Sequence, residues 1–304
     1  MKIIKPSVQF FGAVPTDYTN ALRFIEMAGR TCYKSEDKIT DSSAEAFVKR
    51  LISAGHLAMV EHSNFVVCLD RPKNQAFEAR MLQIVGKYLS IAWDDNFCYV
   101  GGSLTGWEQR CAFFTEQHLS EDVFAPFLSN FGLLFGYISS KIEAEDYYSD
   151  WQVCPHNEIP AALHRYSTKF ICDRGVSHEL VRHRPCSFAQ ESTRYVNYGG
   201  KDMEFIEPAG FEGWDKDNQF LFKHSCQESS AAYNQLLAAW DAGKSSLKPQ
   251  QARAVLPNAL KTEIVVTADA AEWAHIKKLR THPSAHPDMV QIMNMMPWKE
   301  FIQC

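Results

Sequence analysis

Behind Ser42-x-x-Glu45, the apolar residues Phe47, Val48, Leu51 and Ile52 recur three and four positions apart, and Gly55 follows. This spacing predicts an amphipathic helix over 43–54 with a capping box at its start. In GHLAMVEHSNFVVCLD the period changes: a turn carrying His56, Glu61 and His62 leads into a β-rich run from Asn64 to Leu69. The polar residues therefore stand at a strand entrance. Farther on, Tyr233, Leu236, Leu237 and Trp240 repeat at helical spacing before Gly243, which predicts a long helix over 220–242. KPQQARAVLP reads as a short helix bracketed by Pro249 and Pro257, and TEIVVT (262–267) as a buried strand. Asp269-x-x-Glu272 then caps a helix bearing Trp273, Ile276 and Leu279.

Between residues 73 and 167 the texture differs. YLSIAWDDNFCYVGGS predicts a hairpin around Asp94-Asp95-Asn96, followed by aromatic-rich helices. VVCLDRP (66–72) and FICDRG (170–175) resemble one another across this gap. The stretch 73–167 is read as a mostly helical insertion within a single unit spanning 1–304, packed onto the main body. Trp93, Trp107 and Trp151 are expected in its core rather than on a base-stacking surface. The mixed pattern of helices and strands predicts an α+β fold.

The densest polar cluster is RHRPCSFAQESTRY, from Arg182 to Tyr195. DRGVSHELVRHRP predicts a helix with His178 and Arg182 on one face and Glu179 and His183 on the next. Pro185 pushes the preceding residue out of helical geometry, so the helix should end near His183 and leave Arg184 extended. An extended FAQESTRY would then put Phe188, Gln190, Ser192 and Arg194 on one side, where amide, hydroxyl and guanidinium suit a phosphate and a planar polar ring.

Composition narrows the classes. The 304 residues are 46% hydrophobic and 22% charged with a formal net charge of -5, so no overall basic field draws nucleic acid and any anion must be bound locally. MKIIKPSVQF carries no apolar targeting segment, and no apolar run approaches the roughly 18 residues of a membrane span, so a cytoplasmic location without membrane contact is expected. The 9 cysteines are scattered without a C-x-x-C pair and read as reduced, mostly core thiols. No catalytic metal is expected: His56, Glu61 and His62 lack the H-E-x-x-H order, and Pro283 breaks the helix that would align His282 with His286.

Arg182-His183-Arg184, the seven residues PCSFAQE and then Ser192 form a spacing that resembles the flavin-dependent thymidylate synthases. AGRTCYKS (28–35), GHLAMVEH (55–62), DRGVSHELVRHR (173–184), SFAQESTRYVNY (187–198), ARAVLPNALKTEIVVT (252–267) and LRTHPSAHPDM (279–289) are similar to family blocks, in family order. The resemblance implies reductive methylation of dUMP to dTMP, with methylenetetrahydrofolate as carbon donor and NADPH as reductant through FAD. It also implies a curved, largely antiparallel sheet flanked by helices, in a homotetramer whose sites draw on several subunits. Position by position, Arg182, His183, Arg184, Glu61 and His275 match cofactor-binding residues. Glu179, Gln190, Ser192, Arg194, Arg253 and Arg280 match nucleotide-binding ones. Arg280 is set to polarise the uracil. His56 lies near the flavin or folate and is the base that a covalent role for Ser192 would need; a hydrogen bond from Ser192 to the nucleotide is the preferred alternative.

One segment departs from the pattern: where the family usually has Asn-x-Arg, this chain has Asp269-Ala270-Ala271. Asp269 is expected as a helix N-cap, and Arg110 in GGSLTGWEQR is a candidate replacement for the missing guanidinium. Two other readings use the same residues: a flavoenzyme acting on another uracil-containing molecule, and a nucleotide-binding relative without turnover.

Overall fold

The computed structural model describes residues 1–70, 82, 89–116, 122–137, 150–200, 202–241, 243 and 248–302. Strands β2 (Ser7–Ala13), β7 (Arg165–Asp173), β8 (Ser187–Gln190) and β10 (Lys261–Asp269) form an antiparallel sheet in the order β2-β7-β10-β8. The predicted run at 262–267 is the heart of β10. This strand is buried on both faces: Ile264, Val266 and Ala268 enter one core with Phe170 and Trp273, while Val265 meets Ala28 and Ala189 on the other side. Such double burial is why the strand reads as a nearly unbroken apolar run. β1 (Lys2–Ile4) pairs in parallel with β9 (Glu204–Ile206).

A second antiparallel sheet orders β4 (Leu89–Trp93), β5 (Phe97–Gly102), β3 (Phe65–Asp70) and β6 (Gln152–Val153) as β4-β5-β3-β6. The predicted hairpin joins β4 to β5, its turn held by Asp94 Oδ1, which accepts from the backbone N–H groups of Asn96 and Phe97 at 2.8 and 2.6 Å. Helices α1 (Tyr18–Tyr33), α2 (Ala44–Ser53) and α3 (Leu57–Val60) precede β3, and α4 (Leu104–Glu116) and α5 (Ala125–Phe135) follow β5. Trp107, Phe127 and Phe131 from α4 and α5 are buried in one core with Leu22, Ile25 and Phe47 from α1 and α2. Trp151 joins that core and Trp93 packs against it. The 73–167 stretch therefore shares its interior with the N-terminal helices; its described part contains a hairpin as well as helices.

The remaining helices are α6 (Arg174–Leu180), α7 (Lys216–Asp241), α8 (Pro249–Ala252), α9 (Ala270–Arg280) and α10 (Pro287–Met293). Several expectations shift. α2 forms as predicted, but without the capping box: the Ser43 hydroxyl instead donates to Glu26 at 2.8 Å. α7 begins earlier, because Asp215 Oδ1 accepts from the N–H groups of Asp217 and Asn218. Its apolar stripe is narrower than expected, with Tyr233 and Leu237 buried but Trp240 38% exposed. α6 stops at Leu180 rather than His183, since the Arg182 and His183 amides bond three residues back, to Glu179 O and Leu180 O. The extended run from 187 stops at Gln190. Ser192 Oγ accepts from the Arg194 amide at 3.3 Å, and this local bond competes with the strand.

Candidate functional site

The end of α6, the turn after it and the last residue of α9 converge on one cluster. Arg280 donates from Nη1 to Glu179 Oε2 at 2.6 Å, from Nη2 to the Glu179 carbonyl at 3.3 Å and from Nε to His183 Nε2 at 3.0 Å. On its other side His183 Nδ1 lies 3.3 Å from Glu272 Oε1. The His275 ring stands 6.1 Å from that of His183. Burial, the Arg280 guanidinium and His275 together push His183 down to about 4, so the imidazole is neutral at pH 7. Burial also raises the Glu272 carboxyl, with Asp269 adding to it and His275 opposing. Asp269 itself is the predicted N-cap, its side chain accepting from the Glu272 amide at 2.8 Å.

Gln190 points back into the fold, its Nε2 donating to Ser177 Oγ at 2.8 Å and Thr262 Oγ1 at 3.3 Å. Ser192 and His56 do not form a dyad. His56 Nδ1 is instead 2.6 Å from Tyr33 Oη, and the Tyr33 ring lies 5.4 Å from Tyr195. Arg194 is exposed, its guanidinium 5.8 Å from the centre of the Tyr195 ring. Arg253 donates to Thr193 Oγ1 at 2.7 Å, which brings the turn after Ser192 to the end of α8. Arg182 is exposed at the end of α6.

Glu61 and Arg184, some distance apart in sequence, meet at a cavity of about 230 Å³ that Asn64, Arg165 and Asp269 also line. Arg165, at the first position of β7, donates from Nη1 to the carbonyls of Glu61 at 2.7 Å and Ser63 at 2.8 Å, and from Nη2 to Ser187 Oγ at 2.9 Å. Burial lowers its pKa, while the Glu61 and Asp269 carboxylates oppose that effect. His62, expected among the polar turn residues, is fully buried; its Nδ1 is 2.8 Å from Thr267 Oγ1 and burial depresses it to about 3. It ties α3 to the sheet.

Sequence reasoning missed Arg165, Asn64 and Glu272. Only Glu272 left a signal, as the partner of the Asp269 cap. Among the described residues, His183, Glu272 and His275 are also close enough to share a cation, with ligand atoms within 4.8 Å of one another. Arg280, 3.0 Å from His183 Nε2, puts a permanent positive charge beside that group, which works against a cation there.

An antiparallel sheet whose helix ends gather an Arg–Glu–His cluster beside a cavity lined by both guanidinium and carboxylate groups defines an α+β protein with a polar, charged cleft. The chain belongs to the thymidylate synthase complementing protein family, whose profile matches residues 16–76 and 157–302. Relatives named flavin-dependent thymidylate synthase include one from Mycobacterium sp. (strain KMS), 39% identical over 129 residues that make up 38% of this chain and 49% of the relative. The one from Mycolicibacterium gilvum (strain PYR-GCK) is 41% identical over 125 residues, 38% of this chain and 48% of the relative. The one from Mycobacterium tuberculosis (strain ATCC 25177 / H37Ra) is 38% identical over 126 residues, again 38% of this chain and 48% of the relative. The chain thus spans about half the length of the curated relatives it matches. A solved UMP/dUMP methylase, PolB from Streptomyces cacaoi bound with 5-Br dUMP, aligns over 99% of this chain and 93% of its own at 14% identity and a TM-score of 0.41, too low to bear on the reading. Among the described residues no helix is long and apolar enough to cross a membrane.

Proposed function

We propose that the protein is a flavin-dependent thymidylate synthase that methylates dUMP to dTMP, using methylenetetrahydrofolate as carbon donor and NADPH as reductant through FAD. The observation that carries this reading is the Arg280 guanidinium, held by Glu179 and His183 within a chain of this family. With Nε and one N–H on each terminal nitrogen committed, Arg280 retains further N–H donors for a uracil carbonyl. A fixed guanidinium there favours negative charge on the pyrimidine as its ring is activated, without reorganising at the moment of reaction. Glu179 and the neutral His183 act as positioning residues for it.

Arg194 and Arg253 provide exposed guanidinium groups for the nucleotide phosphate. Gln190, with its Nε2 engaged by Ser177 and Thr262, leaves its carbonyl oxygen to the ligand. Ser192 binds rather than attacks, since His56 is engaged by Tyr33.

The cavity fits part of a flavin nucleotide. Arg184 and Arg165 offer charge to phosphate, Glu61 and Asp269 offer acceptors, and Asn64 Oδ1 is a buried acceptor with no partner among the described residues. Bound there, the flavin would supply the redox chemistry that side chains cannot. The reading extends to Arg182 and His275 as cofactor contacts and to a cytoplasmic homotetramer.

Release of tritium from 5-tritiated dUMP, with FAD, NADPH and methylenetetrahydrofolate present, tests the reading. Turnover-dependent release is expected. Release no greater than in a no-enzyme control, from protein with flavin bound, would favour a nucleotide-binding relative without turnover.

A further inference from the structure

The family profile leaves residues 77–156 unmatched, yet the cavity takes one wall from them. Ser90 of β4 and Gly101, Gly102 and Ser103 at the end of β5 line it together with Glu61, Arg184 and Asp269 from the matched parts. Ser90 and Gly101 are paired across the hairpin, so this wall is a piece of regular sheet rather than a loose loop. The glycine there cannot be enlarged, because a Cβ on Gly101 would come within 2.9 Å of Val66 Cγ2. The β5 backbone is therefore held close against β3 at the edge of the cavity.

Asn64 gives an independent sign that something enters. It is 1% exposed, lines the cavity and donates from Nδ2 to the Leu163 carbonyl at 3.0 Å, while its Oδ1 is buried with no hydrogen-bond partner among the described residues. A buried acceptor left unpaired is costly, and an N–H or O–H group from a ligand relieves that cost. The same cavity sets Arg165 against the Glu61 and Asp269 carboxylates and leaves the exposed Arg184 guanidinium for a negative group of the ligand. A ligand with both hydroxyl or N–H donors and phosphate meets both demands. At about 230 Å³ the cavity holds a portion of such a molecule rather than all of it.

We infer that the hairpin of the unmatched segment forms one wall of the flavin pocket in this chain: Ser90 and Gly101 to Ser103 close against the cofactor, Asn64 Oδ1 accepts from one of its hydroxyl or N–H groups, and Arg165 supplies the guanidinium missing at Ala271. Arg165 is better placed for this than Arg110. Arg110 does not line the cavity, and its guanidinium lies 5.3 Å from the centre of the Phe113 ring on α4. Arg165 borders the cavity beside Asp269, with which it is paired across β7 and β10. The inference rests on the flavin reading above.

Fluorescence titration of FAD into the full chain tests it. Ser90 is exposed, so Ser90→Phe obstructs the cavity mouth without entering the core; it is expected to raise the FAD dissociation constant at least tenfold. Arg110→Ala, outside the cavity, is expected to bind like the wild type, and all variants are checked by thermal melting. Arg165→Lys, which keeps the charge but loses the fork, is expected to weaken binding several-fold and decides the matter should Ser90→Phe not fold. If wild-type protein binds FAD and folded Ser90→Phe binds it equally well, the wall is not part of the pocket and the inference is overturned while the flavin reading stands. Wild-type protein that takes up no FAD overturns both.

Discussion

Arg280 Nε donates to His183 Nε2 at 3.0 Å, and this contact settles where the imidazole keeps its proton. A guanidinium nitrogen can only donate, so Nε2 must accept and Nδ1 must carry the hydrogen, directed toward Glu272 Oε1 at 3.3 Å. A second proton on His183 would sit against a permanent positive charge. The central residue of the Arg-His-Arg triplet thus works as a neutral strut between two helices.

The first prediction concerns pH. His183 titrates at about 4 in the folded chain against an ordinary 6.5. Between those values the unfolded chain binds more protons, so the His183 contribution to stability should fall as pH drops from about 6.5 to about 4 and be lost below that. The share of His183 is on the order of 3 kcal/mol, and buried His62, depressed to about 3, acts in the same direction. Melting curves across this range should show a shallower slope for His183→Gln than for the wild type. Equal slopes would mean that His183 is not held neutral.

Replacing Arg280 by lysine keeps the charge but cannot reach Glu179 and His183 at once. Turnover should fall about a hundredfold, the size of effect seen when one preorganised donor is lost, with FAD affinity little changed. Steady-state assays beside a flavin titration check this; near-wild-type turnover would remove Arg280 from the chemistry.

Glu263, near the start of β10, accepts from Lys34 at 2.7 Å and Lys261 at 2.5 Å and also contacts Lys169. Burial raises its pKa, but the bonds from Lys169, Lys261 and Lys34 outweigh that and hold it at about 2. Its contribution is present above the ordinary 4.5 and is lost as pH falls toward 2. Glu263→Gln leaves Lys34 and Lys169 with Glu36 and Lys261 with Glu191 and Glu204, and should cost about 3 kcal/mol in urea unfolding, the size of the shift from 4.5 to about 2. A loss below about 1 kcal/mol, the worth of an exposed pair, would show the cluster to be solvated.

Ser192→Ala separates binding from covalent catalysis. Among the described residues no histidine bonds to Ser192; its hydroxyl accepts from the Arg194 amide and shapes the turn. The variant should weaken dUMP binding by about 1 kcal/mol, the worth of a typical hydrogen bond, and keep measurable turnover. Complete loss of turnover with dUMP affinity intact would revive the nucleophile.

Much of this was legible locally. The cap at Asp269, the hairpin at Asp94, the buried run of β10 and the helix at 43–54 each announce themselves within a few residues, because a cap, a turn or a period is a short-range property. α6 misled because its last turn tightens, and β8 because Ser192 satisfies a neighbouring amide. The cavity was illegible for a different reason. Arg165 bonds to Glu61 and Ser63 across 104 and 102 residues, and no pattern of spacing encodes such a meeting. Glu61 and Arg184 are marked by the family resemblance; Asn64, Arg165 and the hairpin wall come together only in the fold.

The hydrogen bond from Asn64 to the Leu163 carbonyl spans 99 residues of chain, so the long excursion between them leaves and returns at one point. By path it is a detour that a short linker could bypass. By packing it is a roof beam: Trp107, Phe127 and Phe131 rest on Leu22, Ile25 and Phe47, and a bypassed chain would lay those side chains bare to water. Trimming the excursion should therefore uncover Leu22, Ile25 and Phe47 and yield an insoluble remnant.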